Sequence, residues 1–177
     1  VNPDPDAEQL VMLTEMAAEK VRLFGIEPKV ALLSHSAFGS HDDRDAQRMQ
    51  LALQMLRERR PDLEAEGEMT ADAALLPDYR EQLFPKSRLT GAANLFVMPG
   101  LDAAHIAFNF SRIVNKGVTV GPLLMGVGMP AHLVTPSATV RRLVNMAAIA
   151  SVDAQRFRNE RQNSLFGDGL EPGEASA

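Results

Sequence analysis

Two short apolar runs constrain this chain most: Val30-Ala31-Leu32-Leu33 and Asn94-Leu95-Phe96-Val97-Met98. Neither alternates apolar with polar residues. Breakers bound them, with Gly25 and Pro28 before the first and Pro99-Gly100 after the second. A strand can be apolar at every position only when both faces of its sheet are covered. Helices must then fill the intervals, and helical periodicity is found there. The expected fold is α/β: three layers, with a mainly parallel sheet flanked by helices and both runs as central strands.

Leu10, Leu13, Ala17, Val21 and Phe24 recur at three- and four-residue steps, an amphipathic helix ended by Gly25. Asp4 is placed to cap it, with Pro5 at its first turn. Residues 45–59 predict a second helix with Met49, Leu53 and Leu56 inward, and Pro61 marks its exit. Between Leu63 and Met69 the odd positions are apolar or Gly and the even ones are Glu64, Glu66 and Glu68, the pattern of a half-exposed strand. A short helix interrupted by Pro77 is expected over residues 72–84, and another helix over 103–114. Residues 118–125 are the last strand candidate. A long helix follows from Ser137 past Ala154. Beyond residue 159 the chain turns polar and Gly/Pro/Glu-rich, so the reading is one α/β domain over 1–158 and a disordered tail over 159–177.

Composition narrows the function classes. Lys and Arg number 18 against 23 Asp and Glu, a net charge of −5, so no global field draws the chain to nucleic acid or an anionic membrane. Arg57, Arg59 and Arg60 form a basic helix end without aromatic neighbours, which is weak evidence for nucleic acid. The absence of Cys excludes disulfides, thiolate metal sites and Cys nucleophiles, and fits a reducing cytoplasm. No apolar run reaches the length of a membrane helix, roughly 20 residues. Val at the first position fits a piece excised from a longer chain.

The best local site candidate is the polar loop after the first apolar run. In such sheets ligands bind at the carboxyl ends of strands. Ser34, Ser36 and Ser40 offer hydroxyls to an anion, His35 lies among them, and Gly39 permits close backbone approach. An ordinary polar connection is the plainer reading. Asp102 and His105 are three apart on the 103–114 helix. Asp102 is placed as its cap, and metal ligation would need a further ligand that is not in view. His41 with Asp42, Asp43 and Asp45 has metal-like composition, but acidic residues before a helix follow from its dipole. Arg141 and Arg142, behind Thr135-Pro136-Ser137, could attract an anion.

Five segments in order resemble phosphate acetyltransferases. They are Val30-Ala31-Leu32-Leu33-Ser34-His35-Ser36-Ala37-Phe38-Gly39-Ser40, Gly67-Glu68-Met69-Thr70-Ala71-Asp72-Ala73-Ala74, Gly91 through Ala107, Gly121-Pro122-Leu123-Leu124-Met125-Gly126 and Leu143-Val144-Asn145-Met146-Ala147-Ala148. Pro130-Ala131-His132-Leu133-Val134-Thr135-Pro136-Ser137 and the opening Val1-Asn2-Pro3-Asp4-Pro5 resemble the phosphotransacetylase-like C-terminal region of bacterial NADP-dependent malic enzymes. The resemblance implies the second domain of a phosphate acetyltransferase-like fold plus its returning C-terminal helix. It implies an acyl-CoA or phosphate site drawn from Ser34, His35, Ser36, Gly39, Ser40, Asp102, His105, Thr135, Arg142 and Asn145.

The departures matter. In the transferases the segment before the last helix reads Ser-Arg-Gly-Cys-Ser-Val-Glu-Asp, where Ser stabilises the transition state, Arg holds phosphate and Asp serves as base. Aligned on Val144-Asn145, these fall on Thr135, Pro136 and Arg142. Pro carries no charge for a phosphate, and Arg cannot act as a base near neutral pH. No catalytic residue and no metal ligand is therefore assigned. The resemblance implies a regulatory and oligomerisation module that binds acetyl-CoA without acetyl transfer, in a homodimer. NADP and a divalent metal would belong to the absent malic-enzyme part. An active transferase subdomain and a ligand-free assembly module are the alternatives.

Overall fold

The computed structural model describes residues 2–115, 119–136 and 138–166, with side chains as far as residue 163. The first helix, α1, spans Ala7–Leu23. Its cap is Asp6, not the expected Asp4. Asp6 Oδ1 accepts from the Gln9 amide at 2.8 Å, and Gln9 Oε1 accepts from the Asp6 amide at 3.0 Å. A capping box needs Gln or Glu three residues on. Asp6 finds Gln9 there, whereas Asp4 finds Ala7.

Strand β1 (Lys29–Leu33) is the centre of a parallel sheet ordered β2-β1-β3. Its residues alternate between two cores. Val30 and Leu32 pack with Leu10 and Val11 of α1 and with Met49, Leu53 and Leu56 of α2, which spans Arg44–Arg59. Ala31 and Leu33 pack on the opposite face with Met69, Ala73, Ala74, Leu89 and Ala93. Helix, sheet and helix form the expected three layers. Asp43 caps α2, its Oδ1 accepting from the amides of Asp45 at 3.0 Å and Ala46 at 3.1 Å.

Three strand expectations are corrected. Strand β3 (Leu95–Val97) is at an edge, paired to β1 alone, with Phe96 exposed. Residues 119–125 form no strand, and Pro122 has no amide hydrogen to give a ladder. Strand β2 (Glu64–Met69) is not half-exposed either, since Glu66 and Glu68 are each only 1% exposed. Leu32 faces Gly67 and Leu33 faces Met69, so Glu68 is an extra residue in a bulge, where the two-residue period breaks. Gly67 is required there, because a Cβ would lie 2.7 Å from the Leu32 carbonyl oxygen.

After β2 come α3 (Ala71–Leu75) and α4 (Pro77–Leu83), separated at Pro77 as expected. The buried Arg80 guanidinium ties this region together. It donates to the Ala73, Leu89 and Gly91 carbonyls and to Ser87 Oγ. Helix α5 (Leu101–Val114) starts from Gly100 without a side-chain cap. Asp102 thus lies inside the first turn, where its charge suits the dipole but it does not cap.

The chain divides into two compact units, Val1–Lys116 and Gly117–Ala177. The second contains α6, Val140–Phe166. Thr139 Oγ1 accepts from the Arg142 amide at 3.3 Å at its start, and the expected cap Ser137 lies outside the described residues. The helix continues through 159–166, and residues 167–177 lie outside the described residues.

Candidate functional site

Four of the expected site residues, Ser34, Ser36, Gly39 and Ser40, are joined in one hydrogen-bonded loop at the carboxyl end of β1. The loop is organised by Glu68. Its Oε1 accepts from Ser36 Oγ at 2.6 Å and from the Gly39 amide at 2.9 Å. Ser36 is fully buried, and its Oγ also accepts from the His41 amide at 3.1 Å. Phe38 (φ 51) and Gly39 (φ 84) turn the chain through the left-handed region. That conformation is costly for Phe. The Phe38 amide is held by the Glu68 carbonyl at 2.8 Å, and its ring stacks on Phe84 with centroids 4.5 Å apart. A Cβ at Gly39 would meet nothing, so its left-handed φ, not close approach, asks for glycine here.

Seven of the loop's amides are already bonded within the protein. Those of Ser34, Phe38 and Ser40 go to backbone carbonyls. Those of Ser36, Ala37, Gly39 and His41 go to Ser34 Oγ, Ser40 Oγ, Glu68 and Ser36 Oγ. A phosphate-binding loop of the usual kind aims such amides at its anion. Here an anion would instead meet side chains: Ser34, His35, Ser40 and His41. His35 is exposed, with Nε2 2.9 Å from Asp43 Oδ2. Ser40 Oγ lies 3.0 Å from His41 Nδ1. The Asp43 carboxyl is held below the ordinary range, first by the Ala46 amide and then, against partial desolvation, by the Asp45 amide and His35.

Asp102 and His105 are together on α5, both exposed. Thr135, Arg142 and Asn145 belong to the second unit. Thr135 is exposed, and its carbonyl accepts from the Ala138 amide at 3.0 Å. Arg142 is half-buried, with Nη2 donating to the Gly121 carbonyl at 2.7 Å. Asn145 is half-buried. Among the described residues no three His, Asp or Glu side chains are grouped to hold a metal, and no helix is long and apolar enough to cross a membrane.

Sequence reasoning missed three features. Glu68 looked outward by alternation. Glu66 is buried against Arg57 Nη2 at 2.6 Å and the Arg88 amide at 2.8 Å. His132 in the second unit has its Nε2 2.8 Å from Asp153 Oδ2. The Gly67-Glu68 pair carried the only local signal, a glycine inside a strand, which often marks a bulge.

A parallel sheet covered on both faces, with a polar loop at a strand's carboxyl end, defines an α/β layered protein whose candidate site is that loop. Residues 1–151 match the family described as phosphate acetyl/butaryl transferase, and the chain belongs to that family. It is 55% identical over 156 residues to an NADP-dependent malic enzyme of Escherichia coli (strain K12), covering 88% of this chain and 21% of that one. It is 36% identical over 154 residues to a phosphate acetyltransferase of Corynebacterium glutamicum, covering 87% and 47%. A phosphotransacetylase structure from Streptococcus pyogenes superposes with a TM-score of 0.81 at 28% identity, covering 90% of this chain and 47% of that one. The chain thus spans about a fifth of the malic enzyme and about half of these two transferases.

Proposed function

We propose that this chain is a regulatory and assembly module of an NADP-dependent malic enzyme, binding acetyl-CoA or a related acyl-CoA without transferring the acyl group. The observation that carries the reading is Arg142. A half-buried guanidinium bonded to the Gly121 carbonyl stands where the transferases are expected to keep a carboxylate base. A guanidinium stays protonated in proteins and cannot take a thiol proton. Pro136 removes the expected phosphate-binding cation. In the first unit the proposed ligand contacts are Ser34, His35 and Ser40, with Asp102 and His105 on α5; Thr135, Arg142 and Asn145 are candidates within the second unit taken by itself. Ser36 and Gly39 act by shaping the loop.

In this reading malate oxidation, with NADP and a divalent metal, takes place in the rest of a cytoplasmic homo-oligomer. Acetyl-CoA lowers that activity only by binding the less active state more tightly. The spent amides of the loop favour a rival, a ligand-free assembly module. The test is acetyl-CoA titration of the full-length protein by calorimetry, following malate-dependent NADP reduction and acetyl phosphate formation in parallel. The expected result is saturable binding, reduced malate oxidation and no acetyl phosphate. Acetyl phosphate formation would restore the transferase reading. No binding heat and no inhibition would leave the assembly module. Replacing Arg142 by Asp together with Pro136 by Arg is expected to weaken the inhibition.

A further inference from the structure

Beside the loop, within the first unit, is an open cavity of about 530 Å³ whose walls include Phe38, Phe84, Arg57, Glu58, Glu66 and Glu68. Its size is that of a small-molecule site. Its charge is unbalanced, because three carboxylates face one guanidinium. Arg57 is already neutralised by Glu66 at 2.6 Å. Glu58 is exposed to water, and Gln54 Nε2 donates to its Oε1 at 3.3 Å. Glu68 differs from both. It is 1% exposed, it receives hydrogen bonds from Ser36 and Gly39, and it has no ion-pair partner among the described residues. A buried carboxylate is strongly favoured by a counter-charge that shares its low-dielectric surroundings. The parallel Phe38 and Phe84 rings, at an interplanar angle of 15°, wall the same cavity and can offer a face to a cation.

We infer that this cavity binds a small primary-ammonium compound with an apolar or aromatic body, its ammonium directed to Glu68 and its body against Phe84. The inference shares the Glu68-organised loop with the acyl-CoA reading but does not need it, since it uses neither Arg142 nor the second unit. The matching chemistry is the pairing of one buried carboxyl group with an aromatic wall. A neutral ligand of the same shape lacks the ionic half, and an anion is opposed by the surplus carboxylates.

The probe is benzylammonium, titrated into the full-length protein at pH 7 by ligand-observed NMR, with benzyl alcohol as its neutral counterpart. Benzylammonium is expected to bind at least tenfold more tightly than benzyl alcohol. Glu68→Gln keeps an acceptor for Ser36 and Gly39 but removes the charge, and should weaken benzylammonium at least tenfold. Phe84→Ala should weaken it about threefold or more, and Glu58→Gln less than twofold. Equal affinity for the two probes in the unmodified protein would overturn the inference, whether or not Glu68→Gln folds. Unchanged benzylammonium affinity in a folded Glu68→Gln variant would overturn it too.

Discussion

Helix α2 buries the Met49, Leu53 and Leu56 face its spacing predicts, and α1 buries a face shifted from the predicted one, keeping Leu10 covered but leaving Leu13 and Phe24 exposed, whereas α5 and α6 cover far less. In α1, Leu10, Val11 and Ala18 are buried; in α2, Met49, Ala52, Leu53 and Leu56 are. Helix α5 carries Ile106, Phe108, Phe110 and Ile113 and buries none of its residues, with Ile106 and Phe110 each 70% exposed. In α6 the apolar Val140, Leu143 and Val144 are exposed and Met146 is buried. Helices of broadly similar apolar content thus differ sharply in how much of it they bury. The difference teaches that periodicity reports a face seeking cover, while the cover itself comes from neighbours. Large exposed apolar faces mark interaction surfaces. The proposed homodimer gives α5 and α6 that role.

The sharpest way to break this contrast is truncation inside the first core. Leu10→Ala removes a side chain 1% exposed and should cost ~3 kcal/mol in chemical denaturation. A loss under ~1 kcal/mol would mean that the α1–sheet contact is loosely packed.

On α5, the double change Ile106→Ser and Phe110→Ser should alter unfolding by under ~0.5 kcal/mol per site, as exposed positions do. If the face is a dimer contact, sedimentation should show dimerisation weakened at least tenfold, about 1.4 kcal/mol. Unfolding losses like that of Leu10→Ala, without change of mass, would assign α5 to the chain's own core.

A smaller effect is expected at the start of α1. Asp6→Ala removes the carboxylate half of the capping box and should cost ~1 kcal/mol. Asp4→Ala, at the residue that sequence alone favoured, should cost less. Equal losses would mean that the two share the cap.

The smallest effect concerns pH. Asp62 is held down at about 2, chiefly by its hydrogen bond from Arg60. Because its folded value is depressed below the ordinary 3.8, its contribution is present above that value. It is lost as pH falls from about 4 toward 2. Replacing Arg60 by Met should flatten the stability profile in that window and leave the profile near neutral pH unchanged in slope.

Much of the fold was legible along the chain. The two-faced strand β1, helices α1 and α2, the break at Pro77 and the loop at the carboxyl end of β1 all leave marks on adjacent residues. Strand pleat and helical turn fix which neighbours share a face, so spacing alone reports them. The site was legible only as a list of side chains. That Ser36 is a buried hub and not a free hydroxyl depends on Glu68, 32 residues away. That Glu68 is buried depends on a bulge opposite Leu33, which no alternation rule contains. That Glu66 tolerates burial depends on Arg57 from α2 and the Arg88 amide. Local geometry is written in short-range steric preference and hydrophobic period, which the sequence carries by itself. The burial and pairing of charge are decided by partners that only the folded chain brings near, because desolvation of a carboxylate is set by everything around it and not by its own segment.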